Sequence, residues 1–212
     1  LNYSTFSDGM AWVTSSEDND IYKEFKLIDK DENILFKIDL DFDNDNHFPS
    51  NFYEGIKETP SYEYHYDDLV IDSYGFVNKD NEWVISPIYE EVRRFSESFA
   101  FVRKKYEKFM LIDKIGNEII PPSFLKANFF SEGIAAVQKI EGEWIYINSG
   151  GKQIIEDVYY FASEFRNGIA WVKRKKDKSN YFIDTKGNIL LETNYNIEEN
   201  FSGGLALFKT GK

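Results

Sequence analysis

The sequence predicts an all-β fold: a tandem array of about five three-stranded β-repeats, stacked as an open, superhelical, solenoid-like array. A closed five- or six-bladed propeller-like ring is the alternative. Three observations carry this. An eight-residue motif, Phe-x-x-Gly-aliphatic-Ala-x-Val, recurs along the 212 residues. A second motif follows each of its first five copies: an aromatic-rich stretch, Ile or Val with Asp or Asn, a few turn residues, then an aliphatic pair. Finally, 14 Tyr and 19 Phe against 5 Pro and 2 Met favour strands, because aromatic side chains suit a pleated, half-buried surface.

The repeats follow in chain order. The first, residues 6–51, opens with Phe6-Ser7-Asp8-Gly9-Met10-Ala11-Trp12-Val13 and continues through Phe25-Lys26-Leu27-Ile28-Asp29 to the pair Ile34-Leu35. The second, 52–94, opens with Phe52-Tyr53-Glu54-Gly55-Ile56, where Lys57 replaces the Ala, and runs through Tyr74-Gly75-Phe76-Val77-Asn78 to Val84-Ile85. The third, 95–129, has Ser98 in place of Gly; its second motif is Leu111-Ile112-Asp113-Lys114-Ile115-Gly116-Asn117 before Ile119-Ile120. The fourth, 130–164, carries Gly133, Ala135 and Val137, then Trp144-Ile145-Tyr146-Ile147-Asn148 and Gly150-Gly151 before Ile154-Ile155. The fifth, 165–200, carries Gly168, Ala170 and Val172, then Tyr181-Phe182-Ile183-Asp184 and Lys186-Gly187-Asn188 before Ile189-Leu190. A partial sixth, 201–212, begins Phe201-Ser202-Gly203-Gly204-Leu205-Ala206-Leu207-Phe208.

The anchor phenylalanines are 46, 43, 35, 35 and 36 residues apart, so the C-terminal repeats are regular and the first two are stretched. Gly-Asn and Gly-Gly between apolar runs signal hairpins, since both residue types reach positive φ cheaply. The motif glycine marks a sharp turn or a close backbone approach, and the Ala two residues later allows tight packing. The anchor Phe is expected to plug the gap between neighbours, with the aliphatic pairs supplying the buried faces of the next strand. No repeat can bury these side chains alone, so neighbours must stack.

These residues resemble the WG β-repeat family of bacterial proteins, whose repeats read F-x-E-G-L-A-x-V, a hairpin tip, W-G-Y-I-D, a Gly turn and V-I-P-P-x-Y. Ile119-Ile120-Pro121-Pro122 and Val84-Ile85-Ser86-Pro87-Ile88-Tyr89 match the last strand of that pattern. The Trp-Gly pair itself is eroded: Trp144 keeps the Trp, Tyr74-Gly75 keeps an aromatic and the Gly, Phe25-Lys26 and Phe109-Met110 keep an aromatic, and Asn180-Tyr181 keeps neither. The resemblance spans nearly the whole chain and implies a repeat scaffold of bacterial origin without implying an activity.

Charge and composition bound the function. With 37 acidic against 25 basic residues, a net charge of −12, long-range attraction to nucleic acid or an anionic membrane is disfavoured. There is no Cys, which removes disulfides, thiolate metal ligands and thiol nucleophiles. No apolar run approaches the roughly 18 to 20 residues that span a bilayer. No signal peptide opens the chain, whose first residue is Leu1, an opening shared by mature secreted and trimmed chains.

Only His47 and His65 titrate near neutrality, and neither has catalytic or zinc spacing. The run Asp39, Asp41, Asp43, Asn44, Asp45, Asn46 alternates oxygen ligands like a calcium loop. Its frame puts Phe52 where a bidentate Glu belongs, so it reads as a solvated acidic segment, and no metal or cofactor is expected. The strip Tyr62, Tyr64, His65 and Tyr66, an insertion relative to the regular repeats, is the first candidate binding locus, joined by Trp144 as a stacking surface. A second is a charged rim. Arg103, Lys104 and Lys105, and Lys173, Arg174, Lys175 and Lys176, each follow the Val that ends a first strand, at hairpin tips expected to share one edge. Repeats without a catalytic constellation point to a non-catalytic scaffold for protein–protein interaction. A carbohydrate-binding module and a carboxylate-dependent hydrolase are the rival readings.

Overall fold

The computed structural model describes residues 2–3, 9–14, 22–41, 52–65, 68–193, 196–197 and 208–209. Every regular element among them is a strand: β1 (Asn2–Tyr3), β2 (Met10–Thr14), β3 (Tyr22–Asp29), β4 (Ile34–Asp41), β5 (Ile56–His65), β6 (Asp68–Asn78) and β7 (Trp83–Tyr89). Then come β8 (Glu91–Val92), β9 (Phe99–Arg103), β10 (Phe109–Asp113), β11 (Glu118–Phe124), β12 (Lys126–Ala127), β13 (Ala135–Ile140) and β14 (Glu143–Ile147). The last are β15 (Tyr159–Ala162), β16 (Ile169–Arg174), β17 (Asn180–Asp184), β18 (Ile189–Thr193), β19 (Asn196–Ile197) and β20 (Phe208–Lys209). None of the described sheets closes on itself, and no helix among these residues is long and apolar enough to cross a membrane.

The chain forms two compact units, Leu1–Pro87 and Ile88–Lys212. The first holds the antiparallel sheet β1-β2-β3-β4 and the sheet β5-β6-β7. Its extra residues are spent on lengthening hairpins. β5 and β6 pair from Ile56↔Asn78 out to His65↔Asp68, whereas the regular β9–β10 hairpin pairs only from Phe99↔Asp113 to Met110↔Val102. Gly75 shows why an aromatic-Gly pair suits this strand. A Cβ there would lie 2.4 Å from the Ile85 carbonyl oxygen and 2.7 Å from the Pro87 nitrogen, so only glycine lets β7 approach β6 so closely.

In the second unit the strand orders are β11-β10-β9-β8, then β12 through β18 in sequence, then β19-β20. The repeats β8–β11 and β15–β18 are therefore four-stranded, one strand more than the sequence suggests, and the repeat between them has β12, β13 and β14 followed by the Ile147–Gln153 bridge. The extra strand is the short segment before the anchor Phe. It pairs in one constant register: Val92↔Val102, Ala127↔Val137, Ala162↔Val172 and Ile197↔Phe208. Strands of two to four residues carry too little periodicity to be read from sequence.

Two turn types recur. The Phe-x-x-Gly motif closes a two-residue hairpin bridged at Tyr53↔Ile56, Ser96↔Phe99, Ser131↔Ile134 and Arg166↔Ile169. Both turn residues have positive φ: 54° and 72° at Glu97 and Ser98, 58° and 77° at Glu132 and Gly133, 52° and 75° at Asn167 and Gly168. That is the backbone of a type I′ turn. A Cβ on Gly133 or Gly168 would meet nothing within 4 Å, so the glycine serves the dihedral and not a close approach.

The second motif closes β3–β4, β6–β7, β10–β11, the Ile147–Gln153 bridge and β17–β18. In each, an Asx side chain accepts from backbone N–H groups two and four residues on: Asp29, Asn78, Asp113, Asn148 and Asp184 all do so at 2.8–3.1 Å.

The core lies between successive repeats. One cluster joins Phe101, Phe109, Leu111, Ile120 and Phe124 to Ala127, Phe130, Ala135, Val137, Ile145 and Ile147 of the next repeat. Another joins Ile134, Ala136, Tyr146, Ile155 and Tyr159 to Ala162, Phe165, Ala170, Val172, Tyr181 and Ile183. Neighbouring strand residues thus face opposite sides, Ala135 backward and Ala136 forward, as the two-residue period requires. Phe130 and Phe165 are the expected plugs; Phe101 stacks on Phe130 at 5.7 Å. The aliphatic pairs supply a buried face in some repeats only. Only the second member is buried in the middle repeats (Ile85, Ile120, Ile155), while Val84, Ile119 and Ile154 are exposed. Both members are exposed in Ile34-Leu35 and Ile189-Leu190. A half-exposed edge strand can bury only one face.

Candidate functional site

The hairpins β9–β10, β13–β14 and β16–β17 close at equivalent places in three successive repeats of the second unit. The tips are residues 104–108, 141–142 and 175–179. Every residue from Lys104 to Lys108 is exposed, as are Lys139, Ile140 and Glu141, and Lys176, Asp177 and Lys178.

The rim residues named from sequence divide into neutralised and available charges. Arg103, half-buried at the end of β9, pairs with Glu91 at 2.9 Å and Glu90 at 3.4 Å, its guanidinium lying 5.3 Å from the Phe109 ring. Arg174 pairs with Asp177, reaches Asp157 at 3.7 Å and sits 4.6 Å from the Tyr181 ring. The Arg174 hydrogen bond holds the Asp177 carboxyl at about 2, and the Ser179 N–H and Tyr181 hydroxyl reinforce it. Lys175 is paired with Glu143 of the neighbouring tip, and its N–H donates to the Val158 carbonyl. By contrast Lys104, Lys105, Lys108, Lys139, Lys173, Lys176 and Lys178 have no ion pair among the described residues. The third tip is tied down by these contacts, and its outward lysines Lys176 and Lys178 are exposed.

Apolar side chains interleave with these charges. Tyr106 is 92% exposed at φ +65°, with Lys105 Nζ 5.4 Å from its ring. Ile140 is 61% exposed, and Tyr160 and Phe161 flank the middle tip, each at 39%. Sequence reading missed all four. Counting from the last Val of each first strand to the tip would have placed Tyr106 and Ile140 there.

The other sequence candidates lie elsewhere. Tyr62, Tyr64 and His65 are on β5, opposite Ile71, Leu69 and Asp68; their backbone is described and their side chains are not, and Tyr66 and His47 lie outside the described residues. Trp144 is half-buried against the second core cluster. With its amide oriented to satisfy both donors, buried Gln138 accepts from Trp144 Nε1 at 3.2 Å and from the Gly142 N–H at 3.1 Å. Asp39 and Asp41 are paired strand residues of β4, not loop residues, and Asp43, Asn44, Asp45 and Asn46 lie outside the described residues. Among those described, no three His, Asp or Glu side chains converge as a metal site.

The repeat family described as WG containing repeat matches residues 74–107, 109–144, 146–178 and 182–212. No curated protein matches the chain. Similar solved structures include the computationally designed Ika8 protein, at 12% identity and TM-score 0.49, covering 89% of this chain and 60% of that one. Streptogramin B lyase is similar at 12% identity and TM-score 0.42, covering 90% and 67%. BamB from Moraxella catarrhalis is similar at 10% identity and TM-score 0.39, covering 89% and 62%. The chain thus spans about three fifths to two thirds of the length of these proteins.

Proposed function

The chain belongs to the family of WG containing repeats, and from that footing we propose that it is a non-catalytic scaffold whose repeats mediate protein–protein interaction in a bacterium. The observation that carries this reading is the set of hairpin tips of the second unit, where unpaired lysines alternate with exposed Tyr106 and Ile140. Apolar anchors amid a charged rim are the composition of a protein-binding surface. The uneven charge supports it: residues 88–212 hold 19 basic and 17 acidic side chains, against 6 and 20 in residues 1–87. A partner approaching the tips therefore meets a local cationic field in an otherwise acidic protein.

The test is affinity capture from native bacterial lysate beside a glycan array, comparing the wild-type chain with the triple variant Lys104→Glu, Lys139→Glu, Lys176→Glu. Proteins retained by the wild type at low salt should be released at high salt and absent from the variant. An empty capture with a saturable glycan signal would overturn the proposal.

A further inference from the structure

We infer that the tips 104–108, 141–142 and 175–179, with Lys139 and Ile140 beside the second, form one docking edge for an extended acidic polypeptide segment with apolar residues three positions apart, which names the partner chemistry of the protein-binding reading on which it rests. The sheet that carries the first tip packs about 10 Å from the next, while the β13–β14 and β16–β17 tips are three strand spacings of about 4.8 Å apart in one sheet, so the three tips cover about 24 Å. An extended or polyproline-like segment advances roughly 3.1 to 3.3 Å per residue, so about seven residues cross the edge. Tyr106 and Ile140, on adjacent tips, are matched by apolar side chains three residues apart. A polyproline II segment, with three residues per turn, keeps both on one face. Lys104, Lys105 and Lys108 on the first tip, Lys139 beside the second and Lys176 and Lys178 on the third are all exposed around them and can pair with acidic side chains between and beyond the two apolar ones.

Two features favour this occupant. Tyr106 holds a large ring at φ +65° and 92% exposure. The other two tips also turn through one left-handed residue, Gly142 at φ +70° and Lys178 at φ +62°, so the backbone belongs to the repeated turn, and what is particular to this tip is a bulky ring placed there in solvent, where it does nothing for the core. Glu107 and Glu141 stand among the lysines, which repels a continuous phosphate backbone and tolerates a segment whose charges are interrupted.

The experiment is fluorescence anisotropy with the full chain and a labelled heptapeptide carrying leucines at positions one and four and glutamate elsewhere. Controls are a heptapeptide of the same composition with adjacent leucines, and a DNA duplex. The spaced peptide should bind in a salt-dependent manner and at least about tenfold tighter than either control, the loss expected when one anchor misses its site. Tyr106→Gly should weaken binding about tenfold while leaving the melting temperature unchanged or higher, since glycine relieves the turn strain. Lys176→Glu with Lys178→Glu should weaken it by a similar factor. Equal binding of the adjacent-leucine peptide, tighter binding of DNA, or full affinity in Tyr106→Gly would each overturn the inference. Rim-dependent capture of lysate proteins alongside absent peptide binding sinks this inference alone; loss of both sinks the protein-binding reading as well.

Discussion

At the residue scale, the motif Phe-x-Glu-Gly has a cause that spans two repeats. Glu97 accepts a hydrogen bond from the Gly133 N–H at 2.8 Å, and Glu132 accepts from the Gly168 N–H at 2.9 Å. The preceding serines act in parallel: Ser96 Oγ donates to the Phe130 carbonyl and Ser131 Oγ to the Phe165 carbonyl. Each glutamate sits at positive φ, where Asn or Gly would be easier, so the strain is offset by a charge-assisted clamp onto the next repeat. Glu132→Ala should cost about 1 to 2 kcal/mol, read as a lower urea midpoint, while Glu132→Gln should recover part of it. Ser98→Gly should do the reverse and raise stability by roughly 0.5 to 1 kcal/mol, because Ser98 holds φ +72° without the glycine its counterparts use.

Lys57 is the other residue with a measurable signature. It occupies the slot that is Ala in other repeats, is 6% exposed, and lies 5.5 Å from the Phe52 ring. Burial lowers its pKa from 10.5 to about 8, against a smaller upward pull from Glu58. Between pH 8 and 10 the unfolded chain holds this proton and the folded chain releases it, so stability should rise with pH there. Above about pH 10 the trend reverses, because burial raises the pKa of Tyr146 and Tyr159 and the folded chain retains their protons. Urea midpoints at pH 7 and pH 10 test this. The alkaline gain should be absent in Lys57→Met, whose midpoint at pH 7 should already be higher by an amount on the order of 2 to 3 kcal/mol.

At the element scale, the Asx turns make hairpin register local. Asp29 and Asp184 are held below the ordinary carboxyl pKa, first by the side-chain hydrogen bond from Asn33 or Asn188 and then by backbone N–H groups. At Asp113 partial burial pulls upward, and bonds from Asn117, Ile115 and Gly116 outweigh it. A lowered carboxyl pKa contributes stability that is complete above the unfolded value and lost as pH falls through the folded one. The turns should therefore weaken below about pH 4. Amide exchange should detect this as faster exchange at Asn33, Asn117 and Asn188 as pH drops, once intrinsic rates are divided out. In Asp113→Asn the effect at Asn117 should disappear, since Asn148 closes the same turn without a charge.

At the scale of the molecule, stability belongs to the junctions between repeats. Phe130 is 1% exposed and packs in the cluster that joins the third repeat to the fourth, so Phe130→Ala should remove about 3 to 5 kcal/mol. In a stack with nearest-neighbour coupling the loss should be localised. Hydrogen exchange should show lost protection in β9, β10 and β13, while β16 and β17, held by the Phe165 cluster, keep theirs. Uniform loss across all five strands would contradict a repeat-by-repeat assembly.

The repeats, their spacing, the inter-repeat role of the anchor Phe and the placing of the basic residues at hairpin tips were all legible in the sequence. Each follows from one-dimensional periodicity that local backbone preference and burial of apolar faces must obey. Tertiary structure alone decided which member of each aliphatic pair is covered, that Arg103, Arg174 and Lys175 are neutralised while Lys176 and Lys178 are not, and that Tyr106 stands in solvent. It also revealed the fourth strand and the glutamate clamp, because two-residue pairings and hydrogen bonds across 36 residues leave no local pattern. Such features depend on which surface another repeat happens to cover, and that is a property of the stack and not of any single segment.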